Sequence, residues 1–63
     1  MPKQNEMYKS IANGRIFYIE DVIPETNEVR TCTVGSGLRR TIRLDRLNDR
    51  KRFKKIQDDY RWL

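Results

Sequence analysis

The chain contains no histidine and a single cysteine, Cys32. Each scarcity removes a class of chemistry. Histidine is the side chain whose ordinary pKa lies near neutrality, so the usual general base is missing. Cys32 has no imidazole to activate it as a nucleophile. Its place within a run of Val and Thr points instead to a small buried hydrophobe. A zinc site needs several Cys or His ligands and is excluded on count. A lone thiol also makes no intrachain disulfide, which fits a reducing, cytoplasmic setting.

Long apolar runs are missing as well. Nothing approaches the ~18 consecutive residues that a membrane-spanning helix requires. The opening MPKQNEMYKS lacks the apolar stretch of a secretory signal, so none is expected. There is no internal repeat and no low-complexity tract. Convergent carboxylates are absent too. The pairs Glu20-Asp21 and Asp58-Asp59 are neighbours in sequence. Neighbours diverge on a strand and on a helix alike, so both pairs read as solvated surface. The segment GSG at 35–37 precedes neither Lys-Ser/Thr nor a helix, which a phosphate-binding loop requires. The expectation is a protein without catalytic residues, metal, cofactor or small-molecule substrate.

What is present is positive charge. The chain has 63 residues, a net charge of +5 and a pI of about 9.8. One small domain fits this length, burying about 60% of its unfolded surface around a core of about a dozen side chains. The charge is lopsided: residues 1–28 hold three basic and five acidic side chains, residues 29–63 eleven and four. In GLRRTIRLDRLNDRKRFKK, residues 37–55, nine of nineteen are Arg or Lys. Basic clustering of this kind points to a polyanion.

Local patterns set the expected fold. Residues 1–9 are polar and read as a flexible arm anchored near Tyr8, with the single domain spanning 10–63. A short extra strand within 8–13 is an option. Asn13-Gly14 is a turn signal before RIFYIEDVI, a strand rich in aromatic and β-branched residues. Ile16, Tyr18 and Glu20 share one face; Phe17, Ile19 and Asp21 share the other. Both faces begin apolar, so the strand is central, and a bulge near Glu20-Asp21 would return Val22 to the core. PETN at 24–27 is a turn in which Asn27 tolerates the left-handed region. EVRTCTV is the second strand and GSG a hairpin connection. LRRTIRL at 38–44 alternates clearly: Leu38, Ile42 and Leu44 lie inside with Arg40 as the exception, while Arg39, Thr41 and Arg43 lie outside. Arg40 is expected to lay its stem on apolar surface and reach water with its head.

The C-terminal third is expected to be a helix over about 48–61. Asn48 or Asp45 would cap it. Phe53, Ile56, Tyr60 and Leu63 would form a stripe about 80° wide, docked on the sheet. Trp62 would fall opposite that stripe, as a contact residue or folded back on the core. The fold class is thus mostly β with a C-terminal helix, a small three- to five-stranded antiparallel sheet, with an open α+β sheet as the alternative. Over residues 13–47 the succession of glycine turn, bulky strand, turn and two short strands resembles small SH3-like β-barrels. Such barrels occur in translation, RNA metabolism and small phage- or plasmid-borne proteins, and the resemblance carries over no functional residue.

The candidate binding residues are Arg39, Arg43, Arg46, Arg50, Lys51, Lys54 and Lys55. On a helix, Arg50–Lys54 and Lys51–Lys55 would be repulsive i,i+4 pairs, each costing roughly 0.2–0.5 kcal/mol. A polyanion would convert that repulsion into affinity through counterion release. The expected function is a non-enzymatic module that contacts DNA or RNA through phosphates. The competing expectation is a protein-interaction module or inhibitor, of the phage- or plasmid-encoded kind, that docks on an acidic host protein. Tyr18 would be the aromatic to stack on bases if it were not taken up by the core.

Overall fold

A computed structural model describes residues 2–62. Five antiparallel strands form one sheet: β1 (Met7–Ser10), β2 (Ile16–Ile23), β3 (Glu28–Thr33), β4 (Arg39–Arg43) and β5 (Phe53–Gln57), in the spatial order β4-β3-β2-β1-β5. A single helical turn, α1 (Leu44–Leu47), joins β4 to β5. Two 3₁₀ turns, Pro24–Thr26 and Tyr60–Trp62, complete the elements. The chain is mostly β, and no helix among the described residues is long and apolar enough to cross a membrane.

The central meander follows its sequence pattern except at Leu38, which the alternation puts inside but which lies in the β3–β4 connection and is 45% exposed. β2 pairs with β3 over its length, and the register slips between Ile19 and Asp21. The slip makes Glu20 the extra residue, so Val22 returns to pack against the core. Asn27 adopts φ 58°, ψ 43° and ends the Pro24–Thr26 turn. Gly35 and Gly37, at φ 98° and 71°, carry the β3–β4 hairpin through a region that L side chains rarely enter. Cys32 is buried, with its thiol unbridged.

Both ends of the chain depart from expectation. The arm expected over residues 1–9 is tied down from Lys3 onward, and its last part is a central strand. Met7, Tyr8 and Lys9 pair with Tyr18, Phe17 and Ile16 on one side. On the other side β1 pairs with β5, Lys9 against Lys54 and Ser10 against Phe53. Asn5 N–H donates to the Ile19 carbonyl and Ile19 N–H to the Glu6 carbonyl, which extends the ladder upstream. Met7 and Tyr8 are buried. A short polar segment gives no periodic signal, so the strand is specified by its partners.

The helix expected over 48–61 does not form. Asn48 is the C-cap of α1 rather than an N-cap, and Asp45 sits in its first turn. Asp49 then folds a turn, its carbonyl accepting from Arg52 and Phe53 and its carboxylate from Lys51 N–H. Residues 53–57 become a strand. Helix propensity in RKRFKKIQ is ordinary, and tertiary context overrides it. Two costs vanish with the helix, the repulsive Arg50–Lys54 and Lys51–Lys55 pairs. One gain replaces them: β5 satisfies the second edge of β1, whose backbone would otherwise need other partners. Of the expected stripe, Phe53 reaches the core, Ile56 is exposed, Tyr60 stacks on Tyr18, and Leu63 lies outside the described residues.

The core is small. Tyr8, Phe17, Ile19, Val29, Leu44 and Leu47 are buried together, with Val22, Ile42 and Phe53 packed against them. Phe17 stacks on Tyr8 at 6.0 Å and meets Phe53 edge-on at 5.6 Å. Leu44 and Leu47, three apart on α1, both point inward, so one turn of helix suffices to plug this end of the sheet. Such side chains contribute about 1.5–3 kcal/mol each when fully buried.

Met7→Ala tests the reassigned N-terminus. Loss of a buried side chain at a central strand should cost about 2–5 kcal/mol in urea unfolding. A shift within about 0.5 kcal/mol, the range of surface sites, would mean that the segment is a loose arm.

Candidate nucleic-acid interface

The two ends of the strand order leave two free edges, β4 and β5. The bonds that flank β4 show which groups line its edge. Thr33 N–H donates to the Leu38 carbonyl at 2.8 Å, and Leu44 N–H to the Asn27 carbonyl at 2.9 Å. Antiparallel pairing alternates, so Arg40 and Ile42 also turn their backbones toward β3. Arg39, Thr41 and Arg43 turn theirs outward.

A groove of about 510 Å³ opens beside this edge, with four consecutive β4 residues on one wall and Phe53 of β5 on the other. The β1–β2 turn and α1 close its ends. Six of its lining residues are cations: Arg15, Arg40, Arg43, Arg46, Lys51 and Arg52. None is a carboxylate. The apolar part of the lining is Ile11, Ala12, Phe17, Ile42 and Phe53. Arg43 pairs with Asp45 at 3.4 Å and Arg52 with Asp49 at 3.3 Å. Exposed pairs of this kind contribute about 0–1 kcal/mol and open readily to a competing anion. Arg15, Arg40, Arg46 and Lys51 have no ion pair among the described residues. The molecule therefore holds four uncompensated cations around one concavity.

The seven residues singled out from sequence are divided by the fold. Arg43, Arg46 and Lys51 line the groove. Arg39 lies outside it, in a shallower hollow, and its guanidinium meets Glu20 at 3.0 Å. That hydrogen bond, with the charge of Glu20, holds Arg39 above its ordinary pKa. Arg50 and Lys54 are exposed and line neither hollow. Lys55 is occupied, bridging Asp58 at 2.7 Å and Glu6 at 2.8 Å. Bonds to Asp58 first, then to Glu6, raise its pKa.

Sequence reasoning missed Arg15, Arg40 and Arg52. Arg15 stands outside the basic run and is brought in by the Asn13-Gly14 turn, where its N–H donates to the Asn13 carboxamide. Arg40 did carry a signal, as the arginine at an inward position of an otherwise clean alternation. Its inward side faces the groove. Trp62 is 68% exposed, so it neither folds back on the core nor approaches the groove lining. Tyr18 is half-buried and stacks on Tyr60 at 4.0 Å, which removes it as a stacking platform for bases.

Glu6 is a structural acid. It is 7% exposed and accepts from Lys55, from Lys3 N–H and from the Tyr8 hydroxyl at 3.2 Å. Burial pushes its pKa up, but the three donors together outweigh burial and hold it below 4.5. Burial first, then the Glu6 charge, lifts Tyr8 to about 12. Among the described residues no group of three or more potential ligands is placed to hold a metal ion. Comparison with protein-family models, curated proteins and solved structures finds no match.

The sign of these shifts fixes a pH profile. Stability from Glu6 is present above its ordinary 4.5 and is lost as pH falls through its lower folded value. Stability from Tyr8 is present below 10.0 and is lost as pH rises toward about 12. Glu6→Gln should cost about 1–3 kcal/mol at neutral pH, because Lys55 and the Tyr8 hydroxyl lose a charged acceptor. It should also flatten the acid limb. An unchanged acid limb in Glu6→Gln, read by thermal unfolding from pH 3 to 7, would show that Glu6 does not set it.

Proposed function

We propose that this chain is a non-enzymatic module that binds nucleic acid through its phosphates, seated in the groove between β4 and β5. The observation that carries this reading is the ring of six cations around a concavity with no carboxylate in its lining. Four of the six have no ion pair among the described residues, and an anion entering the groove would supply the missing partner. Each phosphate neutralised also releases condensed counterions. The outward N–H groups of Arg39, Thr41 and Arg43 add donors along the same edge.

The meander β1 to β4, the return of β5 beside β1 and the plug of α1 support a small SH3-like barrel with its seam open at the groove. A lone unbridged thiol supports a cytoplasmic setting. A second reading has one observation in its favour. The free β4 edge is a template for strand addition, and its three arginines would favour an acidic segment of a host protein, as for an inhibitor.

The test is a binding titration against double-stranded DNA, single-stranded DNA and RNA across salt. With the four unpaired cations each meeting one phosphate, log K against log[salt] should fall with a slope of about −3 on a single strand. Arg40→Glu with Lys51→Glu should reduce that slope by about 1.4 and weaken binding to all sequences alike. Arg50→Glu with Lys54→Glu makes the same change in net charge outside the groove and should leave most of the affinity. Equal losses from the two pairs would mean that total charge, not the groove, does the binding. Absence of nucleic-acid binding together with a nuclease-resistant protein complex would favour the second reading.

A further inference from the structure

The groove has a floor that phosphates do not use. Phe17 and Phe53 meet edge-to-face at its base, with Ile42 on one side and Ile11, which is 54% exposed, on the other. Phosphate binding by itself needs cations and donors, and makes no use of the exposed Ile11 or the half-buried Phe53. A duplex offers a concave surface its sugar-phosphate rim and keeps its bases stacked inside. An unpaired base has an apolar face to give. The groove volume of about 510 Å³ lies within the range of about 300–1,000 Å³ typical of sites that enclose small planar ligands.

A second feature extends the path. The shallower hollow shares Arg15 and Thr33 with the groove and runs on to the β3–β4 hairpin. There Val34 and Leu38 are 42% and 45% exposed. Two apolar stations are thus separated by a cation. The hydroxyls of Thr33 and Thr41 line these hollows and have no side-chain hydrogen bond among the described residues, whereas Thr31 donates to the Arg40 carbonyl.

Resting on the nucleic-acid reading, we propose that the ligand is single-stranded, with one base seated against the exposed Ile11 and the half-buried Phe53 and the strand running past Arg15 to Val34 and Leu38. Alternation of apolar stations with cations suits a strand whose bases turn toward the protein while its phosphates follow the rim. Arg15 is the pivot, because it is the one cation common to both hollows.

Three ligands of equal length separate the possibilities in an anisotropy titration: a single strand of about twelve nucleotides, within the range of single-strand sites, its duplex, and the same strand without bases. The single strand should bind at least about tenfold tighter than either of the others at equal salt. Ile11→Ser and Leu38→Ser lie at exposed positions and leave the core intact. Each should lower single-strand affinity several-fold while leaving affinity for the abasic strand unchanged. Equal binding of all three ligands would overturn the single-strand inference and leave the phosphate reading standing. Binding of none would overturn both.

Discussion

A four-residue strand with two edges to satisfy organises this molecule. β1 lies between β2 and β5, so its backbone is hydrogen-bonded on both sides. Buried peptide groups require partners, and water is excluded here by Met7 and Tyr8. The C-terminal segment must therefore return as a strand. Its return places Phe53 against Phe17 and holds Lys55 over Glu6. It also leaves β4 and β5 as the two unpaired edges, and the groove is the space beside them. The candidate site is a consequence of how the sheet ends.

The same constraint explains which parts of the fold the sequence displays. Residues 16–44 carry their structure locally. β2 is bulky on both faces, the Pro24 turn ends on a left-handed Asn27, and LRRTIRL alternates. Each of these signals is read from a few adjacent residues. β1 and β5 pair across more than forty positions, and neither has a pattern that survives without the other. Phe53, Ile56 and Tyr60 fit a helical period as well as Phe53 and Lys55 fit a strand. The winning term, the second edge of β1, is invisible until the fold closes. The single-turn α1 was hidden for a related reason: Leu44 continues the alternation of β4, and only its partner Leu47 shows that the chain has turned.

The charge of the chain divides along structural lines. Some cations are committed. Lys55 bridges Glu6 and Asp58, Arg39 meets Glu20, and Arg61 chelates Asp59 through two nitrogens. Others are surplus among the described residues: Arg15, Arg40, Arg46 and Lys51 share one concavity, while Lys3, Lys9, Arg30, Arg50 and Lys54 lie elsewhere. Arg15 and Arg40 both join that concavity, one from a turn far outside the basic run and one from the inward side of a strand. The sheer number of arginines in residues 37–55 follows largely from a small core that leaves most positions outside. The grouping of Arg15, Arg40, Arg46 and Lys51 does not follow from it: Arg43 and Arg52 beside them meet Asp45 and Asp49, whereas these four have no carboxylate partner among the described residues.

Amide chemical shifts in solution report directly on that distribution. Titration with a short single-stranded oligonucleotide should move the signals of Arg15, Ile11, Arg40 to Arg43, Lys51 and Phe53 together, with one saturating profile. Those of Arg50, Lys54 and the Tyr18–Tyr60 face should stay in place. Shifts spread evenly over every exposed cation, or centred on Lys54 and Arg50, would contradict the claim that the groove beside β4 is where this protein meets its ligand.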